Sequence, residues 1–293
     1  MKKRFLTKSD IVGYLFVLPT LLAIIAFSFY PIIQAFVISF YNHNGVKGVF
    51  NGGVNYINVL KDPYFTKAMT NTLYMGLLGM AIGLPFSLIL ATFINYCSKG
   101  KSFFKSVFFL PNVTSVVASA LIFTFLYYPD STGPMNQFLG LFGIPAQRWF
   151  SSPDQAKISI VLMSIWHGAG YNAIIWLAGL QSIPEELFEA AAIDGASKVK
   201  QWVHITIPSI MPIIGFMVIM GTIGMFKRFG DTFVIGGPDG NPGSALYTLM
   251  LYVYRNTFMM YSFGRASAAS FIIFLIIMLF TLMNFKLLSK TEK

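Results

Sequence analysis

Residues Gln181–Pro212 read QSIPEELFEAAAIDGASKVKQWVHITIPSIMP, a polar stretch in a chain otherwise built of apolar runs. Glu185, Glu186, Glu189 and Asp194 lie in it, four of the eleven acidic residues of the whole sequence. Ser182 followed by Glu185 fits a capping box, and Pro184 is tolerated in a first helical turn. The three glutamates sit early, where the helix dipole favours anions. Leu187, Ala190, Ala191 and Ile193 form a small apolar face, and Gly195 supplies a stop. A second helix from Ser197 puts Val199, Trp202, Val203 and Ile205 on one stripe, and Pro208 ends it and begins the next apolar run. Two readings fit this pattern. Either it is an amphipathic connector lying on a bilayer, or it is a helix offered to a groove on a soluble partner, with Ala190–Ala192 permitting close approach.

Outward from that island the chain reads as membrane spans. Hydrophobic residues make up 55% and charged residues 11%, against roughly 25% charged in an average soluble domain. The mean hydropathy of +0.65 agrees. Apolar runs cover about residues 11–40, 68–97, 107–128, 158–180, 208–226 and 266–288, each near or above the roughly 20 residues a bilayer requires. The first is too long for a signal-peptide core and is read as a retained span, kinked near Pro31. The expected fold is therefore an all-α, six-span membrane protein. It has a short segment at 1–10, one membrane domain over 11–293, and a polar loop at 181–207.

Six spans put both termini on one face. Twelve lysines and arginines fall in short segments on that face and nine in longer loops on the other, which favours cytoplasmic termini and a cytoplasmic polar loop. The net charge of +10 is scattered between apolar runs, so lipid head groups explain it better than nucleic acid. Cys97 is the single cysteine, which excludes an internal disulfide.

What the spans lack bears on the energy source. None of the acidic residues falls within the expected spans, whereas proton-coupled carriers commonly use intramembrane carboxylates. A stand-alone ion-coupled secondary transporter is the alternative to a chain driven from outside the membrane, and it would have to rely on His167 or neutral oxygens. No GxxxxGK[ST] loop and no HExxH spacing occurs, so neither nucleotide hydrolysis nor metal chemistry is expected of this chain. An enzyme embedded in the bilayer would need catalytic groups within spans, and only His167 is ionisable there.

His167 stands in Trp166-His167-Gly168-Ala169-Gly170-Tyr171-Asn172. Either it makes a helix–helix hydrogen bond where glycines allow tight packing, or it contacts a sugar. Aromatic faces such as Trp166 stack on pyranose rings, and imidazole or amide groups such as that of Asn172 bind hydroxyls. Gly79–Gly83 is a GxxxG pattern, which argues only for close packing.

The residues Glu189-Ala190-Ala191, Asp194-Gly195-Ala196, Ile205-Thr206-Ile207-Pro208 and Pro212 closely resemble the EAA signature of bacterial ABC importer permeases. Asn55-Tyr56, Asn71-Thr72, Phe109-Leu110-Pro111 and Gly179–Pro184 extend the likeness to the carbohydrate-uptake, maltose-permease-F-like branch, from about residue 10 to the C-terminus. The resemblance implies a type I importer transmembrane domain in the bacterial inner membrane. It also implies a second homologous permease, two ATPase subunits that bind ATP and magnesium, and an extracytoplasmic sugar-binding protein. Glu185, Glu189, Ala190, Ala191, Asp194, Gly195, Ala196, Ile205 and Pro208 are then expected to couple to the ATPases. By position, Ser164, Gly168 and Tyr171 before the loop, and Gly221, Thr222, Met225 and Phe226 after it, would line a path for a di- or oligosaccharide. Met225 is a poor partner for hydroxyls.

Overall fold

The structure, a computed structural model, describes residues 8–97 and 99–291, with side chains described over 12–97 and 99–286. Residues 1–7 of the expected N-terminal segment and Glu292 lie outside the described residues. Contacts divide the chain into two units, Met1–Lys61 with Asn256–Ile272, and Asp62–Arg255 with Ile273–Lys293.

The first unit opens with α1 (Lys8–Ile24), a π-helical turn (Ile25–Phe29) and α2 (Tyr30–Ile38). Together they give a 27-residue apolar stretch from Val12 to Ile38. Pro31 stands in the first turn of α2, and the missing donor is accommodated by the wider turn just before it. A hairpin follows, β1 (Tyr41–His43) paired antiparallel with β2 (Gly48–Phe50), and then α3 (Val54–Lys61). Asn55 of α3 fastens the root of the hairpin: its amide donates to the carbonyls of Ser39 at 2.8 Å and Tyr41 at 2.9 Å.

The second unit is built on α4 (Pro63–Tyr96), capped by Asp62, whose carboxylate accepts from the Tyr64 amide at 2.9 Å. Next come α5 (Lys101–Val113) and α6 (Val116–Leu126), which cross at a bend of 94°. The sequence led us to expect one run over 107–128 here, and the structure replaces it with two half-helices. The cause is local. Pro111 deprives the last turn of α5 of a donor, Thr114 turns extended, and Ser115 accepts from the Ala118 amide to start a new helix.

After α7 (Pro134–Gly140), the long α8 (Pro153–Gln181) leads to α9 (Glu185–Ile193), α10 (Lys198–Gln201) and a π turn (Trp202–Thr206). The chain continues through α11 (Ile207–Ser209), α12 (Met211–Phe226), α13 (Gly230–Gly236) and α14 (Leu249–Tyr254), and ends in α15 (Phe263–Thr291). Five of these helical stretches are long and apolar enough to cross a membrane, or six if the bent pair is one span.

Packing of α4 on α8 forms the core of this unit. Trp176 is 2% exposed, and its indole donates to Ser87 Oγ at 3.0 Å. In an apolar medium such a bond is worth roughly 0.6 kcal/mol on average. It fixes register as much as it stabilises. Around it lie Leu88, Ala91, Leu177, Ile210 and Met217, all buried.

The end of the unit away from α9 is closed by the segment between α13 and α14. The Asn71 amide donates to the carbonyls of Ser244 at 2.9 Å and Tyr247 at 3.0 Å, and Thr72 Oγ1 accepts from the Leu249 amide at 3.1 Å. Asn71→Leu would leave two carbonyls unpaired in a site where the amide is 2% exposed. We expect it to cost about 2 kcal/mol, read as a lowered Tm in detergent.

Candidate functional site

Two regions carry the residues that the sequence singled out. In the first, α9 is a helix with no buried residue. Leu187 is 47% and Ile193 88% exposed, so its apolar positions are not spent on this chain's own core. Ser182 does not cap α9: its hydroxyl bonds back to the Gly179 carbonyl at the end of α8, and Pro184 stands at the N-cap position. The expected capping box is thus absent, because Ser182 still belongs to the preceding helix. The C-terminal end is as the sequence suggests. Gly195 takes φ of +74°, with the Ala196 amide donating to the Ala191 carbonyl at 2.9 Å and the Gly195 amide to Ala192 at 3.1 Å. This double closure needs a left-handed residue, which glycine supplies without a Cβ penalty.

Beyond the turn, Ser197 caps α10 and Gln201 is buried, its amide donating to the Ala196 carbonyl at 3.2 Å. Trp202 and Ile207 pack onto the α4–α8 core. Glu185, Glu189, Ala190, Ala191, Asp194 and Gly195 therefore occupy an exposed element. Its continuation, through Ile205 and Pro208, runs into the body of the unit.

The second region is a cavity of about 490 Å³ between α4, α8 and α12. Of the expected path residues it is lined by Ser164, Gly168, Asn172, Gly221 and Met225. A smaller hollow of about 220 Å³ adjoins it, sharing Asn172 and Gly221 and adding Tyr171. Four other candidates face elsewhere. His167 Nε2 lies 3.0 Å from the Thr114 carbonyl, at the break between α5 and α6. Trp166 tilts against Phe123, with ring centroids 5.1 Å apart. Thr222 is buried, bonded to the Val218 carbonyl and to the amide of Asn284, and Phe226 is fully buried against Phe280. The helix–helix reading of His167 accounts for its ring nitrogen, and the bent span is what exposes the carbonyl it meets.

Glycines make the cavity. Gly76, Gly79 and Gly83 line it along α4 and Gly168 along α8. A Cβ at Gly168 would meet nothing closer than 4.0 Å, so the hollow there is open space. Gly79 and Gly83 both bring α4 near α8 and bare the wall, a second role that the GxxxG spacing alone does not announce.

Sequence reading missed the charged rim. Arg228 and Asp231 line the cavity as an ion pair at 2.6 Å, and a further guanidinium bond reaches the Ile160 carbonyl at 3.1 Å. The sequence puts Asp231 outside every expected span, yet in the structure it lies within the 26-residue stretch Met211–Gly236. Pairing with Arg228 is what makes a carboxylate tolerable there. The i, i+3 spacing of Arg228 and Asp231 was the available signal. Among the described residues no group of three or more metal-ligating side chains occurs.

Comparison with known proteins adds the following. Residues 83–292 match the family described as "Binding-protein-dependent transport system inner membrane component". The chain is 34% identical over 280 residues to the lactose transport system permease protein LacF of Rhizobium radiobacter, covering 94% of this chain and 93% of that protein. It is 32% identical to a probable ABC transporter permease protein, YurN, of Bacillus subtilis, covering 95% and 96%. In fold it resembles a chain of a bacterial ABC transporter involved in the import of the acidic polysaccharide alginate. The TM-score is 0.86 at 24% identity, with 98% of both chains covered. A second structure of the alginate transporter, in complex with an alginate pentasaccharide-bound periplasmic protein, gives a TM-score of 0.83 with 94% of this chain covered.

Proposed function

We propose a function for this chain on one premise: it belongs to the family of binding-protein-dependent transport system inner membrane components, and its fold is that of a type I importer transmembrane domain. It acts as the permease subunit of an ATP-driven sugar importer, forming one half of an alternating-access path. Di- or oligosaccharide delivered by an extracytoplasmic binding protein enters the α4–α8–α12 cavity. A second homologous permease supplies the other wall. Two ATPase subunits hold ATP and magnesium and push on α9, so that no cofactor or catalytic residue is needed in this chain.

The observation that carries the proposal is the exposed α9. A helix with Leu187 and Ile193 in the open, locked at Gly195 and continuous with the packed Trp202–Ile207 segment, is built to transmit a displacement from outside. Such transmission requires contacts that differ between two partner states. Orientation follows from the same reading: α9 and both termini are cytoplasmic. In the cavity, Ser164, Asn172 and Tyr171 offer hydroxyl and amide groups to sugar hydroxyls, while Gly168 and Gly221 keep the wall low.

Gly168→Trp tests the path. A Cβ at Gly168 meets nothing closer than 4.0 Å and the position lines the cavity, so the assembled transporter should retain basal ATP hydrolysis while the bulk of the indole in the path lowers uptake about ten-fold or more. Undiminished uptake in proteoliposomes would place the path elsewhere. Uptake by this chain alone, driven by an ion gradient and indifferent to ATP, would instead establish the secondary-transporter alternative.

A further inference from the structure

Beneath α9 lies a second cavity, of about 500 Å³, where α4 and α8 end and α5 begins. It is separate from the sugar path and shares none of its lining. Its charged groups are Lys101, Lys198 and Glu185, a formal sum of +1. Neither lysine forms an ion pair among the described residues; Lys101 Nζ reaches only the oxygens of Asn95, at 3.3 and 3.4 Å. Asn95, Gln181 and Thr206 add amide and hydroxyl groups. Opening from the same place is an apolar hollow of about 460 Å³ bounded by Tyr96, Lys198, Val199 and Trp202. Tyr96 and Val199 are 65% and 73% exposed.

We infer that this paired cavity binds an anionic phospholipid of single negative charge, such as phosphatidylglycerol. The polar chamber takes the phosphodiester and its hydroxylated head, and the apolar hollow takes the first part of an acyl chain. Three observations converge on that class. The net charge of the chamber cancels one phosphodiester, whereas a zwitterionic head would leave the surplus unbalanced. Two apolar spans, Pro63–Tyr96 and Pro153–Gln181, end at its wall, which sets it at head-group depth. A tyrosine and a tryptophan flank the lysines, the side chains that settle at that interface. Basic pockets between spans are known to hold anionic head groups, and each lysine near the surface adds to the attraction.

The bound lipid joins the ends of α4 and α5 to the segment that carries α9, so bilayer charge would tune how firmly that segment is held. The site does not depend on what the other cavity transports, and its test needs no transport reading. The intact transporter, purified from a membrane containing phosphatidylglycerol, should retain about one such lipid per copy of this chain by native mass spectrometry. Lys101→Ala with Lys198→Ala should lower retention about thirty-fold, and the double arginine variant should restore it. Brominated-chain phosphatidylglycerol should quench the emission that disappears in Trp202→Phe, and brominated phosphatidylcholine should not. This second measurement stands if the alanine variant fails to assemble. Equal quenching by phosphatidylcholine or phosphatidylethanolamine, unchanged retention in the alanine variant, or displacement by millimolar inorganic phosphate would each overturn the inference, the last by revealing a site for a free anion.

Discussion

Gly195→Val is expected to uncouple the assembled transporter. Uptake should fall by about ten-fold while the complex remains in the membrane and its ATPases still turn over. The residue is suited to a clean experiment because a Cβ there would meet no atom within 4 Å, while φ is +74°. Overlap of the added Cβ is thus removed as an explanation, which leaves backbone preference as the change common to every substitution there. A left-handed conformation costs a residue with a Cβ roughly 1–2 kcal/mol, and β-branching adds to that. A strain of about 1.4 kcal/mol shifts an equilibrium ten-fold. The turn therefore opens, the paired bonds from Ala196 and Gly195 to the end of α9 are lost, and α9 no longer moves as one piece with the Trp202–Ile207 segment. Asparagine tolerates the left-handed region better than other side chains, so the order of uptake should be Gly, Asn, Ala, Val. Glu189→Lys, on the exposed face of α9, should uncouple by a different route, through the contact itself. If purified complexes carrying either Gly195→Val or Glu189→Lys transported at the wild-type rate, α9 would not be the point of drive.

Why the loop was readable and the cavity was only partly so has a physical answer. The features of the 181–207 loop are local: a left-handed glycine, a cap at Ser197 and prolines at helix starts announce themselves within four residues. Five of the six expected spans were equally legible, since about twenty apolar residues have few other uses. The bend between α5 and α6 was not, because Pro111 by itself is compatible with a kinked span, and the decision fell to Ser115 capping a new helix. Position relative to the loop picked out Ser164, Gly168, Gly221 and Met225, four residues that the structure brings together on the wall of one cavity. Thr222 and Phe226 are one residue on from the lining and turn into the core, as a 100° step per residue requires. His167 looked chemically eligible, but its partner, the Thr114 carbonyl, lies 53 residues away and exists only because the third span is broken. Long-range pairing of that kind leaves no trace in spacing. The Arg228–Asp231 pair was hidden for the opposite reason: it looked like loop polarity until α13 extended the apolar stretch past it.

Replacing Gly170 by alanine should be strongly damaging for so small a change. Where α8 passes α5, a Cβ at Gly170 would overlap the carbonyl of Phe108 and press on the Phe109 amide. Those atoms are backbone, held by the hydrogen bonds of α5, so neither can rotate aside as a side chain would. The helices must separate, and α5 also carries Phe104 and Phe108, which pack on the buried cluster around Trp176. Overpacking of this type costs typically 1–3 kcal/mol and more when the neighbour is rigid; we expect about 3 kcal/mol here. Gly79→Ala and Gly83→Ala on the opposing helix make internal controls. Their added Cβ atoms would stand 4.0 Å from Val161 and 3.3 Å from Ile165, both side-chain contacts that can relax, so neither should cost more than about 1 kcal/mol. The measurement is thermal unfolding of the purified complex together with the amount of chain recovered in the membrane. Gly170→Ala should lower Tm and yield, while both controls keep wild-type yield. Equal tolerance at all three positions would mean that α5 and α8 are not in backbone contact, and the bent third span would lose the neighbour against which it is braced.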